Sequence, residues 1–239
     1  RDSTGFPTGM KWELLASSSS PGKYLVVKIE DGEPGNAKDI WLMEKCPWLV
    51  LEGALIAVWA LRITGLIFLV PQNRPFMAAQ MSELWNQMLK AGLLKASGSD
   101  EPLNLPVPEF RRGMGVFTGN EETDLVEFLE GRKICGRARS HFPILEGYKN
   151  LPTLITNPET LANVPLIVAN GGDWFAKKGS PSQPGSRLFC ITGAVRKPGV
   201  YELSSRSTIE EALSMANQGR GDDGVRAVAP GGMVFGFLP

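Results

Sequence analysis

"WLVLEGALIAVWALRITGLIFLV", Trp48 to Val70, is the stretch whose reading decides the fold. It is long enough to cross a bilayer. Glu52 and Arg62 interrupt it, however, and Thr64-Gly65 breaks it. The pattern instead predicts a buried helix from about Leu51 to Ile63, a tight turn, and a strand Leu66–Val70. An apolar strand run of this kind belongs to a sheet covered on both faces.

Working outward, "KYLVVKI" (Lys23–Ile29) is a second strand, rich in β-branched and aromatic residues. It runs into an acidic Gly/Pro loop, "EDGEPGN" (Glu30–Asn36), and then a helical stretch with a break at Pro47. Pro75–Leu94 is an amphipathic helix with Pro at its start. "ASGSDEPLNLPVPEFRRGMG" reads as mostly loop, Asn120–Lys133 as a helix opened by acids, and "PETLANVPLIVANGGDWFAKKG" as holding another helix. Strands and helices alternating in this way define α/β architecture.

The character changes at "KKGSPSQPGS" (Lys177–Ser186), a linker by composition. Beyond it, "RLFCITGAVRKPGVYEL" reads as two strands around a turn at Lys197-Pro198-Gly199, "STIEEALSMA" as a helix, and "VRAVAPGGMVFGFLP" as strand and turn. That is the order of a small β-grasp module. The expected division is 1–178 and 186–239.

Composition narrows the function. The 239 residues carry 25 Lys+Arg and 25 Asp+Glu, so there is no electrostatic case for nucleic acid or an anionic membrane. The three cysteines, Cys46, Cys135 and Cys190, match no zinc or iron–sulfur spacing. A single histidine, His141, argues against a zinc site or a Ser-His-Asp triad. No metal site is expected.

In an open α/β sheet the ligand sits where the strands end. Three loops qualify. In "STGFPTGMK" the glycines allow close backbone approach, Phe6 can stack on a ring, and Lys11 can meet a phosphate. In "EDGEPGN", Glu30, Asp31 and Glu33 can accept hydrogen bonds from hydroxyls or a ring N–H. In "GMGVFTGNEETDL" a glycine-rich loop opens a helix, an anion site in principle. Glu121 and Glu122 occupy its first turn and turn the preference toward hydroxyls or a ring N–H. Read singly, each loop is also compatible with an ordinary solvated turn.

Together, "GFPTGMKW", "KYLV…DGEPGNAKD", "LMEKCPWLVLEGALIA", "GNEETDLVEFLEG" and "PTLITNPETLANVP" resemble, in order and spacing, the NADH-oxidising flavoprotein subunit of respiratory complex I. They are similar too to the diaphorase subunits of NAD-linked hydrogenases and formate dehydrogenases. "LFCITGAVRKPGVYEL" looks like the start of that family's β-grasp domain.

The resemblance implies a Rossmann-like FMN-binding domain followed by a small ubiquitin-like β-grasp module. It implies hydride transfer from NADH to FMN and onward electron transfer to iron–sulfur clusters of partner chains. Phe6 matches the aromatic that stacks on the NADH adenine, with Phe142 as a second face. Lys11 matches a basic contact to phosphate, and Glu33 a polar contact to the dinucleotide. Glu121 and Glu122 match the acids beside the flavin and nicotinamide. Asn157 matches one of two amides at the FMN phosphate, with Thr156 in place of the first. Phe117 stands for a tyrosine, and Asn120 for a glycine before the acids. Arg1, Gly5, Gly119, Glu30 and Asp31 complete the implied cofactor-binding set. The acids suit free ribose hydroxyls, so NADH is expected over NADPH.

Asp2-Ser3-Thr4 stands where the family is glycine-rich. This predicts weakened FMN retention and leaves a second reading open: a non-catalytic homologue keeping the fold as an assembly subunit. The chain is expected to be a fragment with a truncated N-terminus, lacking the C-terminal iron–sulfur domain and holding no cluster. The implied setting is the peripheral part of a membrane complex, in the cytoplasm or on the matrix side of an inner membrane, without membrane insertion. The electron acceptor, whether quinone, a hydrogenase or a formate-oxidising partner, stays open.

Overall fold

The computed structural model describes residues 5–29, 33–94, 105–115, 122–134, 142–219, 224–232 and 236–239. At its centre lies a four-stranded parallel sheet in the order β3-β2-β1-β4. The strands are β1 (Tyr24–Lys28), β2 (Gly65–Val70), β3 (Glu109–Arg112) and β4 (Thr153–Thr156). β1 and β2 are the expected ones, and both are buried through their middles. β3 is a short strand within the segment read as mostly loop, and β4 is a strand the sequence reading passed over.

Successive strand residues point to opposite faces, so each face collects its own core. Leu25, Val27, Leu66, Phe68 and Leu154 pack with one set of helices. These are α1 (Thr8–Ser17), α2 (Lys38–Lys45), α3 (Pro47–Leu61), α4 (Phe76–Lys90) and α6 (Pro158–Asn170). Val26, Ile67, Leu69 and Ile155 pack instead with Leu125, Val126 and Leu129 of α5 (Glu122–Leu129). The sheet is therefore doubly covered, as its apolar strands require.

The decisive stretch resolves as expected. α3 is apolar but for the exposed Glu52 and ends at Arg62, which takes a left-handed φ of 55° and turns the chain into β2. No helix among the described residues is long and apolar enough to cross a membrane.

The amino-terminal stretch does not. Its glycines and proline suggest a bare loop, but Pro7 sits at the N-cap of α1. The residues after Gly9 are good helix formers, and Lys11 and Leu15, one turn apart, both face inward and are buried. Lys23 secures the far end of this helix, donating from Nζ to the Leu15 carbonyl at 2.7 Å.

The helical segment after Asn157 is two helices, α6 and α7 (Gly172–Lys177), divided at Gly171 with φ 90°. Beyond the linker, β5 (Ser186–Ile191) and β6 (Gly199–Ser204) pair antiparallel, with α8 (Ile209–Ala216) against them. A reciprocal cap starts α8: Thr208 accepts from the Glu211 N–H while the Glu211 carboxylate accepts from the Thr208 N–H. In the last segment, where a strand is expected, the described residues form only an isolated bridge, Val228 to Leu238.

Candidate functional site

In the order β3-β2-β1-β4 the connections run one way from β1 to β3 and return across it to β4. The order in which strands are added therefore reverses between β1 and β4, which run parallel. A crevice forms at such a reversal, at the carboxyl ends of the strands. Lys28 ends β1 and Thr156 ends β4, and both line a cleft of about 900 Å³. That is room for a nucleotide-sized ligand.

Several helices begin at this cleft. Pro7, Thr8 and Gly9 bring the start of α1, Lys38 and Asp39 that of α2, Glu122 that of α5, and Asn157, Glu159 and Thr160 that of α6. Helix starts point free N–H groups and the positive end of the dipole outward. Asn157 caps α6, its Oδ1 accepting from the Thr160 N–H at 2.8 Å. Its amide nitrogen is left to donate. At α1 there is no side-chain cap, and the Thr8 Oγ1 is buried with no hydrogen-bond partner.

Three lysines bring positive charge here. Lys11 donates to Glu122 at 2.6 Å, both side chains being largely buried. Lys38 reaches Asp39 and Glu159, each at 3.0 Å. Burial alone pushes the Lys38 ammonium down, but its two carboxylates outweigh burial and hold it above the usual lysine value. Burial raises the Asp39 carboxyl, which Lys38 only partly offsets. The third, Lys28, stands on the cleft wall at the end of β1.

The structure thus brings Gly5, Glu33, Glu122, Thr156 and Asn157 to one cleft. Lys11 is joined to them through Glu122. Phe6 and Phe142 are 39% and 58% exposed and are not among the cleft-lining residues. Arg1, Glu30, Asp31, Phe117, Gly119, Asn120 and Glu121 lie outside the described residues. Sequence reasoning did not single out Thr8, Lys38, Asp39 or Glu159. The one signal for the last three was their place in the motifs "GNAKD" and "NPET". The second module was not expected at the site either, yet Ser186, Arg187, Leu188 and Phe189 also line it.

A doubly covered parallel sheet with helix starts converging at its reversal point, followed by a β-grasp module, defines a Rossmann-like ligand-binding class. The chain belongs to the family described as the Nuo51 FMN-binding domain, whose model matches residues 1–166; an SLBB domain model matches residues 188–238. It is 35% identical, over all of its own length and 57% of the relative's, to an NADH-quinone oxidoreductase subunit of Rhizobium meliloti (strain 1021). It is 34% identical, over all of its length and 50% of the relative's, to the mitochondrial NADH dehydrogenase [ubiquinone] flavoprotein 1 of Dictyostelium discoideum. Among solved structures it resembles a chain of the NAD+-reducing nickel–iron hydrogenase in the H2-reduced state, with TM-score 0.80 and 29% identity over 90% of this chain and 37% of that one. The chain spans about half the length of the curated relatives it matches.

Proposed function

We propose that this chain is the FMN- and NADH-binding part of an NADH-oxidising flavoprotein subunit. Residues 1–178 are the binding unit and residues 186–239 the β-grasp module. The observation that carries the reading is the convergence of α1, α2, α5 and α6 on the reversal-point cleft, with the buried Thr8 Oγ1 lacking a partner at its edge. Such a cradle suits a phosphate-bearing ligand.

The residues present fit FMN. Thr8, the Asn157 amide nitrogen and the helix-start N–H groups would hold its phosphate end. Open space around Gly9 leaves the backbone accessible. FMN, when bound, supplies an acceptor that takes a hydride from NADH and releases electrons singly. Glu33 and Glu122 then offer carboxylates to ribose or ring N–H groups, and favour NADH over NADPH because a 2′-phosphate would meet negative charge. Electrons leave for cluster-bearing subunits of a larger complex, on the cytoplasmic or matrix face of a membrane.

A second reading, a non-catalytic homologue kept for assembly, is favoured by the Lys11–Glu122 pair, which engages two of the candidate groups with each other. Titration with FMN, followed by quenching of its fluorescence, and NADH-dependent reduction of ferricyanide by the loaded chain separate the two. Saturable binding with turnover supports the flavoprotein. Binding without turnover, or none, supports the assembly role. Tighter NADPH than NADH binding overturns the dinucleotide assignment.

A further inference from the structure

The second module is not merely tethered beside the cleft; it is stitched to it. β5 pairs with β6 on one edge, so its other edge presents N–H groups that need acceptors. The Leu188 N–H finds one in Glu159 Oε1, at 2.7 Å. The same carboxylate uses Oε2 to hold Lys38 at 3.0 Å, and the Glu159 main-chain N–H donates to Asp39 at 3.2 Å. Two residues further along β5, Cys190 Sγ accepts from the Ala37 N–H at 3.1 Å, just ahead of α2. Glu159 therefore ties together the starts of α2 and α6 and the edge of β5, all at the cleft wall.

We propose that the β-grasp module is a working wall of the ligand cleft, and that Glu159 is the positioning residue coupling its docking to occupancy of the cleft. The chemistry is local. One carboxylate with two oxygens serves two masters, a charged side chain on the α/β unit and a backbone donor on the module. A ligand that orders the α2 and α6 starts holds Lys38 and Glu159 in place, and so holds the Leu188 N–H. Coupling of this kind is reciprocal: whatever the ligand gives to docking, docking gives to the ligand. This inference rests on the proposed FMN site, since FMN is the ligand used to test it.

The test reads two quantities on the whole chain: the FMN dissociation constant by fluorescence quenching, and hydrogen exchange at the Leu188 amide with and without saturating FMN. In the wild type, FMN is expected to slow exchange at Leu188 at least threefold. Glu159→Ala is expected to speed Leu188 exchange at least tenfold and weaken FMN binding about tenfold. Glu159→Gln keeps an acceptor for the Leu188 N–H and is expected to restore both to within about threefold of wild type. A residue serving only stability would leave the ligand-dependent protection of Leu188 intact. If FMN binds the wild type without changing exchange at Leu188, the coupling is wrong while the FMN site stands; this arm needs no variant to fold. Wild-type dissociation constants retained in Glu159→Ala overturn it equally. If the wild type binds no FMN, the proposed site falls, and the coupling with it.

Discussion

The Cα of Gly53 in α3 rests on the main-chain carbonyl of Leu161 in α6, so closely that a Cβ would lie 2.0 Å from that oxygen. The carbonyl is available because Pro165, one turn further on, has no N–H to offer it. A glycine on one helix and a proline on the other together create a close crossing, with the glycine Cα–H facing an otherwise orphaned acceptor.

Gly53→Ala is therefore expected to destabilise the chain by about 2 kcal/mol, against the helix-propensity gain of about 1 kcal/mol that alanine brings elsewhere. A backbone carbonyl cannot rotate away as a side chain does. Chemical denaturation checks this, and an unchanged midpoint would show that the helices part at little cost.

The Lys11–Glu122 pair makes a second expectation. Lys11→Met leaves the largely enclosed Glu122 carboxyl without its 2.6 Å partner. Loss of one partner of a buried pair costs about 3 kcal/mol, somewhat less here for the remaining exposure. Glu122→Gln added to Lys11→Met should recover much of that loss. Thermal melts of the single and double variants measure it; additive losses would mean that the two residues act separately.

The Lys38 group predicts a pH dependence. The folded Lys38 value lies above the ordinary 10.5, so its contribution is whole below that pH and is lost as pH rises through the higher folded value. The folded Asp39 value is raised above 3.8, so its contribution is whole below that pH and is lost as pH rises through the higher folded value. Melting temperatures scanned from about pH 4 to about pH 12 in about one-unit steps should fall above the ordinary Asp39 value and again above the ordinary Lys38 value. Asp39→Asn should remove the loss that Asp39 causes and also weaken the alkaline one, because Asp39 is one of the two carboxylates that hold the Lys38 ammonium; Lys38→Met should remove the alkaline loss and move the Asp39 loss to higher pH.

Asp124 lies on the first turn of α5, buried, with its Oδ1 lacking a hydrogen-bond partner. Its favourable place at the helix start is worth well under 1 kcal/mol, whereas an unsatisfied buried polar atom costs about 1–3 kcal/mol. Asp124→Ala is expected to raise stability by about 1 kcal/mol. A lower melting temperature in that variant would mean that the carboxylate has a use.

How legible all this was varies with the residue. β1 and β2 read directly because consecutive apolar residues have no other good place in a doubly covered sheet. β3, "EFRR", carries charge because it is the half-exposed edge, so no apolar run announces it. β4, "TLIT", is four residues long, too short for periodicity to speak. α1 was masked by Gly5, Pro7 and Gly9, whose turn character outweighs the one-turn spacing of Lys11 and Leu15. At the site, Glu33, Glu122 and Asn157 were legible through motif order. Lys38, Asp39 and Glu159 were not, since charges read singly as a solvated surface, and only tertiary folding brings α2 and α6 together. Nothing local in β5 says that the edge donor at Leu188 will be taken by a residue of the other module.

The placement of β1 between β2 and β4 also sets an order of events during synthesis. One edge of β1 can be covered as soon as β2 has emerged, since Leu25 pairs with Leu66. The other edge waits for Leu154, 88 residues after Leu66. At roughly 5–20 residues per second, that is a delay of many seconds on the ribosome. Throughout it the nascent chain displays an apolar strand with unpaired backbone groups, the template that strand-on-strand association exploits. Yield in the cell should therefore respond more to translation speed and chaperone supply than the stability of the finished fold would suggest.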